Sequence, residues 1–167
     1  GTLTFPPGTT SANATLTVIN DTIDEVDETV ILTLGSPTNA DAGATTVHTA
    51  TITDDDTAPT VAWTTAWQDA GEAVGTVTVS GLLSAVSGKT VTVPYTISGT
   101  ATYGTDHDAS AGTLTFNPGG TGANVTFTVI DDAIDEVDET VILTMGAPTN
   151  ADAGATTVQT VTITDDD

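Results

Sequence analysis

Apolar and hydroxyl side chains alternate with a period of two along most of the chain, and no stretch repeats every 3.6 residues. Thr76-Val77-Thr78-Val79-Ser80, Thr90-Val91-Thr92-Val93 and Thr113-Leu114-Thr115-Phe116 show the pattern. So do Val125-Thr126-Phe127-Thr128-Val129 and Val161-Thr162-Ile163-Thr164. Successive side chains of an extended backbone point to opposite faces. These runs therefore predict strands with Val, Leu, Phe and Ile on one face and Thr, a β-branched residue suited to a solvated sheet, on the other. Turn-forming clusters separate them: Ser98-Gly99, Asn117-Pro118-Gly119-Gly120, Gly146-Ala147-Pro148 and Asp152-Ala153-Gly154. About seven short strands in about 110 residues predict an all-β fold, an antiparallel sandwich of two sheets.

The pattern is also written twice. Residues 1–56 align without a gap to residues 112–167 at an offset of 111, and 45 of the 56 paired positions are identical. A period of 111 residues is too long for a solenoid and fits one small domain. The chain accordingly reads as a tandem excerpt: residues 1–56 are the C-terminal half of one repeat and residues 57–167 a complete one. Residues 57–111 supply the first strands of the complete sandwich and residues 112–167 the last. Residues 1–56 are then a second set of last strands, expected to expose an apolar face and unpaired edges.

Charge changes the picture next. The chain has 23 acids and one base, Lys89, for a formal charge of −22. Such a balance repels nucleic-acid phosphates and anionic lipid heads, so neither nucleic acid nor a membrane surface is an expected partner. With 38% apolar residues in alternating runs, the chain is expected to fold rather than stay disordered. No cysteine is present, which excludes disulfides and thiolate metal sites, and no apolar run is long enough to span a bilayer. A Thr-rich, Lys-poor, cysteine-free acidic array suits an extracellular or cell-surface protein of a microbe.

The acids are clustered. Of the 14 in residues 57–167, six lie in Asp131–Glu139 and three form Asp165-Asp166-Asp167. Glu72 stands at an early loop, and Asp106 and Asp108 flank His107. All fall between strands, where a sandwich gathers its loops at its two ends. Two like charges about 4 Å apart repel by about 4 kcal/mol at an effective dielectric near 20. One lysine cannot neutralise such a cluster, whereas a hard divalent cation can. Ca2+ accepts six to eight oxygens in loose geometry; Mg2+ keeps its waters and Zn2+ prefers nitrogen and sulfur. The residues thus point to Ca2+. They are not an EF-hand, since no Gly-centred twelve-residue loop or flanking helix is present.

The runs Gly99-Thr100-Ala101-Thr102-Tyr103-Gly104-Thr105-Asp106 and Ser110-Ala111-Gly112-Thr113-Leu114-Thr115-Phe116 resemble the Calx-β domain. Val129-Ile130-Asp131-Asp132 through Asp138-Glu139-Thr140 and Thr162-Ile163-Thr164-Asp165-Asp166-Asp167 extend the resemblance, which covers residues 58–167 and, in its second half, residues 1–56. It implies an immunoglobulin-like antiparallel β-sandwich with calcium ligands at the end facing the next domain. Carried over, the ligands are Glu72, Asp106, Asp131, Asp132, the Ile134 carbonyl, Glu136, Glu139, Asp165, Asp166 and Asp167. In the partial copy they are Asp21, the Ile23 carbonyl, Glu25, Glu28, Asp54, Asp55 and Asp56. Asn20 replaces Asp131 there and removes one charge. Glu72 is set in Gly71-Glu72-Ala73-Val74-Gly75, a departure from the family's usual Glu-Gly spacing.

The expected function is a calcium-stiffened structural repeat of a long extracellular protein, an adhesin stalk or filament subunit. Its partners would be neighbouring repeats, and beyond them identical chains in a filament or a surface receptor. The tight junction Asp54-Asp55-Asp56-Thr57-Ala58-Pro59 favours ions that brace neighbours. The alternative is a calcium-sensing regulatory module, which needs an effector domain that these residues do not supply. No enzyme is expected: His48 is replaced by Gln159 in the other copy, and His107 reads as a solvent-facing loop residue. Trp63 and Trp67 read as core or edge anchors.

Overall fold

Alternation becomes paired strands throughout residues 57–167 of a computed structural model that describes the whole chain, Gly1–Asp167. By its contacts the chain divides into two units. One comprises Gly1–Thr22 and Glu28–Ile52; the other comprises Ile23–Asp27 and Thr53–Asp167.

The first unit holds a single antiparallel pair, β1 (Glu28–Thr33) and β2 (Val47–Ile52), with Glu28 opposite Ile52. Residues 1–22 form no paired strand, although their counterparts in the complete repeat are two strands. Phe5 is 54% exposed where Phe116 is 1% exposed, and Leu34 is 55% exposed where Met145 is 8% exposed. Local preference is nearly the same in both copies, so partner strands decide which copy folds into a sheet.

The second unit is a sandwich. Its five-stranded sheet runs β4 (Trp67–Gly71), β11 (Val158–Thr164), β9 (Glu139–Met145), β6 (Val91–Gly99), β7 (Gly112–Phe116). Its four-stranded sheet runs β10 (Asp152–Ala153), β3 (Thr60–Trp63), β5 (Thr76–Leu83), β8 (Gly122–Thr128). Pairing is antiparallel except for β4 with β11 and β10 with β3. Val77 and Val79 of β5, Val125 and Phe127 of β8, Val141 and Leu143 of β9, and Val161 and Ile163 of β11 meet between the sheets. Their Thr neighbours on β5 and β8 face solvent, as the alternation predicts.

Two details depart from the sequence reading, and a third sharpens it. Asp152-Ala153 is a short strand rather than a turn, because Asp152 N–H donates to the Pro59 carbonyl at 2.9 Å and Gly154 N–H to the Val61 carbonyl at 2.7 Å. His107 is buried rather than solvent-facing: it packs between the Tyr103 and Phe127 rings, and its Nδ1 accepts from Ala109 N–H at 3.0 Å. Trp63 is a core residue set edge-on against Tyr95, whereas Trp67 lies on edge strand β4 and is 70% exposed.

Gly99 ends β6 at φ 135°, and a Cβ there would lie 2.0 Å from the Thr140 carbonyl oxygen. Next to it, Thr100 N–H donates to Thr140 Oγ1 and Thr140 N–H to Thr100 Oγ1, at 3.2 and 2.8 Å. Gly99→Ala is therefore expected to destabilise the protein by about 3 kcal/mol, through backbone strain and a clash with backbone. Urea unfolding measures this; a loss below about 1 kcal/mol would show that the crossing relaxes. No helix of the chain is long and apolar enough to cross a membrane.

Candidate metal centre

The sandwich brings the acidic loops of the complete repeat to one end. Gly71 leads from β4 into one 3-10 turn, Glu72–Val74, which aims Glu72 inward and leaves it 5% exposed. The loop between β6 and β7 carries Asp106. The loop between β8 and β9 carries Asp131, Asp132, Ile134 and Glu136, and β9 opens with Glu139. Strand β11 pairs with β4 up to Thr164 opposite Gly71, which delivers Asp165–Asp167 to the Glu72 turn.

Three carboxylate groups converge there, each with one oxygen per residue within 4.8 Å of the others: Glu72 with Asp165 and Asp167, Glu72 with Asp131 and Asp166, and Asp106 with Glu136 and Glu139. Glu72 belongs to two of the groups, so its unusual Gly71-to-Gly75 setting does not remove it from the centre. Asp132 sits beside it, and its backbone N–H bonds the Glu72 carboxylate. One Asp132 oxygen accepts from Ile134 N–H at 2.8 Å, and Asp165 Oδ1 accepts from Glu136 N–H at 3.2 Å. These bonds fix the β8–β9 loop against the C-terminal aspartates. Ile134 itself is 60% exposed in that loop.

The electrostatics record the crowding. Burial, followed by the charges of Asp132 and Asp165, pushes the Glu72 carboxyl above its ordinary range. Burial and the neighbouring carboxylates Asp106, Asp132 and Asp165 raise Glu136; burial and Asp165 and Asp166 raise Asp167. Glu139 is pushed up to about 6, first by burial and then by its hydrogen bond to Asp106. Burial opposes the Asp106 charge as well, yet hydrogen bonds from Thr102 N–H, Glu139 and Thr105 outweigh it and hold that carboxyl below its usual value. The Asp106–Glu139 contact thus pushes the two carboxyls in opposite directions, Glu139 up and Asp106 down. An oxygen-only, anionic, partly desolvated set of this kind fits a hard divalent cation and offers nothing to a soft one.

The partial copy is arranged differently. The converging groups all belong to the complete repeat. Asp21 is exposed and Ile23 half-buried; Glu25 lies against Gly88, and Glu28 begins β1. Asp54 and Asp56 are half-buried and Asp55 exposed. Asp54 is drawn toward Lys89 at 3.8 Å, and its N–H donates to Asp27 Oδ1 at 3.0 Å. Sequence reasoning passed over the half-buried ion pair of Asp24 with Lys89 and the Ser87 hydroxyl beside it; the one available signal was that Lys89 is the only basic side chain besides two histidines.

A two-sheet sandwich with a carboxylate-crowded end defines the class, an acidic-ended immunoglobulin-like module. The Calx-β domain profile matches residues 1–56 and again residues 54–167, so the chain belongs to the Calx-β family. Similar solved structures include the apo form of the Calx CBD1 domain, 27% identical with a TM-score of 0.61, covering 65% of this chain and 98% of that one. The calcium binding domain CBD12 of CALX1.1 is 28% identical with a TM-score of 0.60; the match covers 64% of this chain and 44% of that longer one. The Calx CBD2 domain shares the fold at 18% identity and a TM-score of 0.57, over 62% of this chain and 84% of its own. A comparison with curated proteins returns no significant match.

Proposed function

We propose that the complete repeat binds Ca2+ through Glu72, Asp106, Asp131, Asp132, the Ile134 carbonyl, Glu136, Glu139 and Asp165–Asp167, and that bound calcium stiffens an array of such repeats. The supporting observation is the convergence of three carboxylate groups on the strand end from which the chain leaves the sandwich. When bound, the ion supplies positive charge that offsets mutual repulsion among the acids. The ligands come from four separated segments, so an ion would tie β4, β6, β9 and β11 together at one end. A repeat of this kind suits an adhesin stalk or filament subunit on a microbial surface, with neighbouring repeats as its immediate partners. A structural role also fits the near-identity of the two copies, since a mechanical unit works by repetition. The calcium-binding name of a similar structure keeps a sensing role as the second reading. Affinity separates the two: sensors work at roughly 10⁻⁷–10⁻⁵ M and extracellular modules at about 10⁻⁴–10⁻³ M.

Thermal unfolding in EDTA, in millimolar Ca2+ and in millimolar Mg2+ tests the proposal. Each site filled at ten times its dissociation constant adds about 1.4 kcal/mol, which raises Tm by about 3–5 °C in a domain of this size. Calcium is expected to raise Tm strongly and magnesium much less. Changing Asp131, Asp132 and Glu139 together to Asn, Asn and Gln should abolish the gain. Equal Tm in EDTA and Ca2+ would overturn the proposal.

A further inference from the structure

The second unit contains the pentapeptide Ile-Asp-Glu-Val-Asp twice, as Ile23–Asp27 and as Ile134–Asp138. Identical sequence therefore stands in two environments within one body. In the first, the aspartate is 4% exposed and the isoleucine half-buried; in the second, Asp135 is exposed and Ile134 is 60% exposed. What surrounds Asp24 shows what this peptide can bind.

Asp24 sits in a socket made by Ser87-Gly88-Lys89. Its Oδ1 accepts from Lys89 Nζ at 2.7 Å, and its Oδ2 lies 3.2 Å from Ser87 Oγ. The Asp24 carbonyl accepts from Gly88 N–H at 2.9 Å and faces the same Ser87 hydroxyl at 3.2 Å. Lys89 N–H donates to Ser87 Oγ at 3.1 Å, and Gly119 N–H holds the Ser87 carbonyl at 3.0 Å. Asp24 and Ser87 are thereby joined as a parallel β-bridge. A side chain at position 88 would meet Glu25 Cγ at 2.8 Å, so Gly88 permits the close approach. Backbone, hydroxyl and ammonium groups all address one buried aspartate. In a chain of charge −22, the only Lys or Arg is committed to this contact. Hydrogen bonding to Asp24 holds the Lys89 pKa above its ordinary value, with help from the charges of Asp54 and Asp27.

We infer that Ser87-Gly88-Lys89 is a docking socket for the Ile-Asp-Glu-Val-Asp loop of an adjoining repeat, and that the exposed Ile134–Asp138 loop is the matching peg for the socket of another copy. Repeats then join head to tail through one half-buried charge pair per junction. Only aspartate of the peg fits: the carboxylate must reach Lys89 and Ser87 while its own carbonyl takes Gly88 N–H. The inference rests on the reading of the chain as an array, but it needs no cation. Asp24 and Asp135 are outside the proposed calcium ligand set, although the Ile134 carbonyl and Glu136 of the same peg belong to it.

The single lysine makes the socket directly observable. With 13C-labelled lysine, the 167-residue protein gives one lysine side-chain signal, which in EDTA should titrate above ordinary lysine. Asp24→Asn should return it to the ordinary range, whereas Asp152→Asn, the same charge change at an exposed strand residue, should not. The decisive protein is the whole chain extended by a further copy of residues 57–167, so that Asp167 runs into Thr57 as Asp56 does. Its second lysine should show the same raised titration, lost in Asp135→Asn and kept in Asp24→Asn. A second lysine that titrates as ordinary lysine in both EDTA and Ca2+ would overturn the peg. A Lys89 signal indifferent to Asp24→Asn would overturn the socket. Because the readout is made without calcium, a failed calcium response in thermal unfolding leaves it standing, and the reverse also holds.

Discussion

Adding a second copy of residues 57–111 ahead of Gly1 should turn residues 1–22 from chain without strands into two β-strands. In the complete repeat, β7 pairs with β6 and β8 pairs with β5, and both partners come from the first half. The same register would set Phe5 opposite the new Val91 and Leu16 opposite the new Val77. Leu32 of β1 and Leu34 just beyond it would receive the partners that Leu143 and Met145 find in Ile97 and Tyr95. Phe5, Leu16, Val18 and Leu34, now 54%, 46%, 53% and 55% exposed, would take the places of Phe116, Phe127, Val129 and Met145, none above 8%. Burying each contributes about 1.5–3 kcal/mol. Backbone ordering at about 1–2 kcal/mol per residue opposes this, so the halves are expected to order together or not at all. Hydrogen exchange measures the outcome. Amides of residues 12–18 should move from unprotected to globally protected. If they stay unprotected, partner strands are not what separates the two copies.

That comparison also shows how much of the architecture is legible from residues. Alternation locates β5, β7, β8 and β11 within a few residues, because a half-buried strand must present one apolar face. The acidic loops of one end are legible too, since strand parity brings the end of β11 beside the start of the Glu72 turn. The failures share a physical cause, which is tertiary context. Residues 1–22 read as strands but form no strand. His107 looks like a solvated loop residue, but the β-bridges from His107 to Tyr103 and Val129 draw it between two rings. Gln159 occupies an inward position of β11, where alternation calls for an apolar side chain; Gln68 Oε1 accepts from its Nε2 at 2.9 Å. Asp24 and Asp135 are indistinguishable in sequence, and only three-dimensional placement gives Lys89 to one of them.

In EDTA, stability should rise as the pH is lowered from 7 to about 5, the reverse of ordinary acid denaturation. Glu139 titrates at about 6 in the folded protein against an ordinary 4.5, so between these values the folded state holds more protons than the unfolded one. Unfolding free energy then increases as pH falls through that window. The difference of about 1.5 units corresponds to about 2 kcal/mol before solvent screening, and about 1 kcal/mol is expected for a partly exposed group. Glu72, Glu136 and Asp167 are raised by the same crowding and act in the same direction. Asp106 is lowered, so its contribution is present above its ordinary value and is lost as pH falls through its lower folded value, which ends the rise at the acid side. Calcium should erase the rise. Its ligands must be deprotonated, so binding competes with the proton that Glu139 takes up near pH 6, and the calcium-induced gain should shrink as pH drops below 6. Glu139→Gln cannot ionise and should flatten the EDTA profile while weakening the calcium response at pH 7. Chemical denaturation at pH 7, 6 and 5, with and without Ca2+, measures all of this. Stability that falls steadily from pH 7 to 5 in EDTA would mean that the carboxylates at this end do not repel one another in the folded protein, and would remove the electrostatic reason for an ion there.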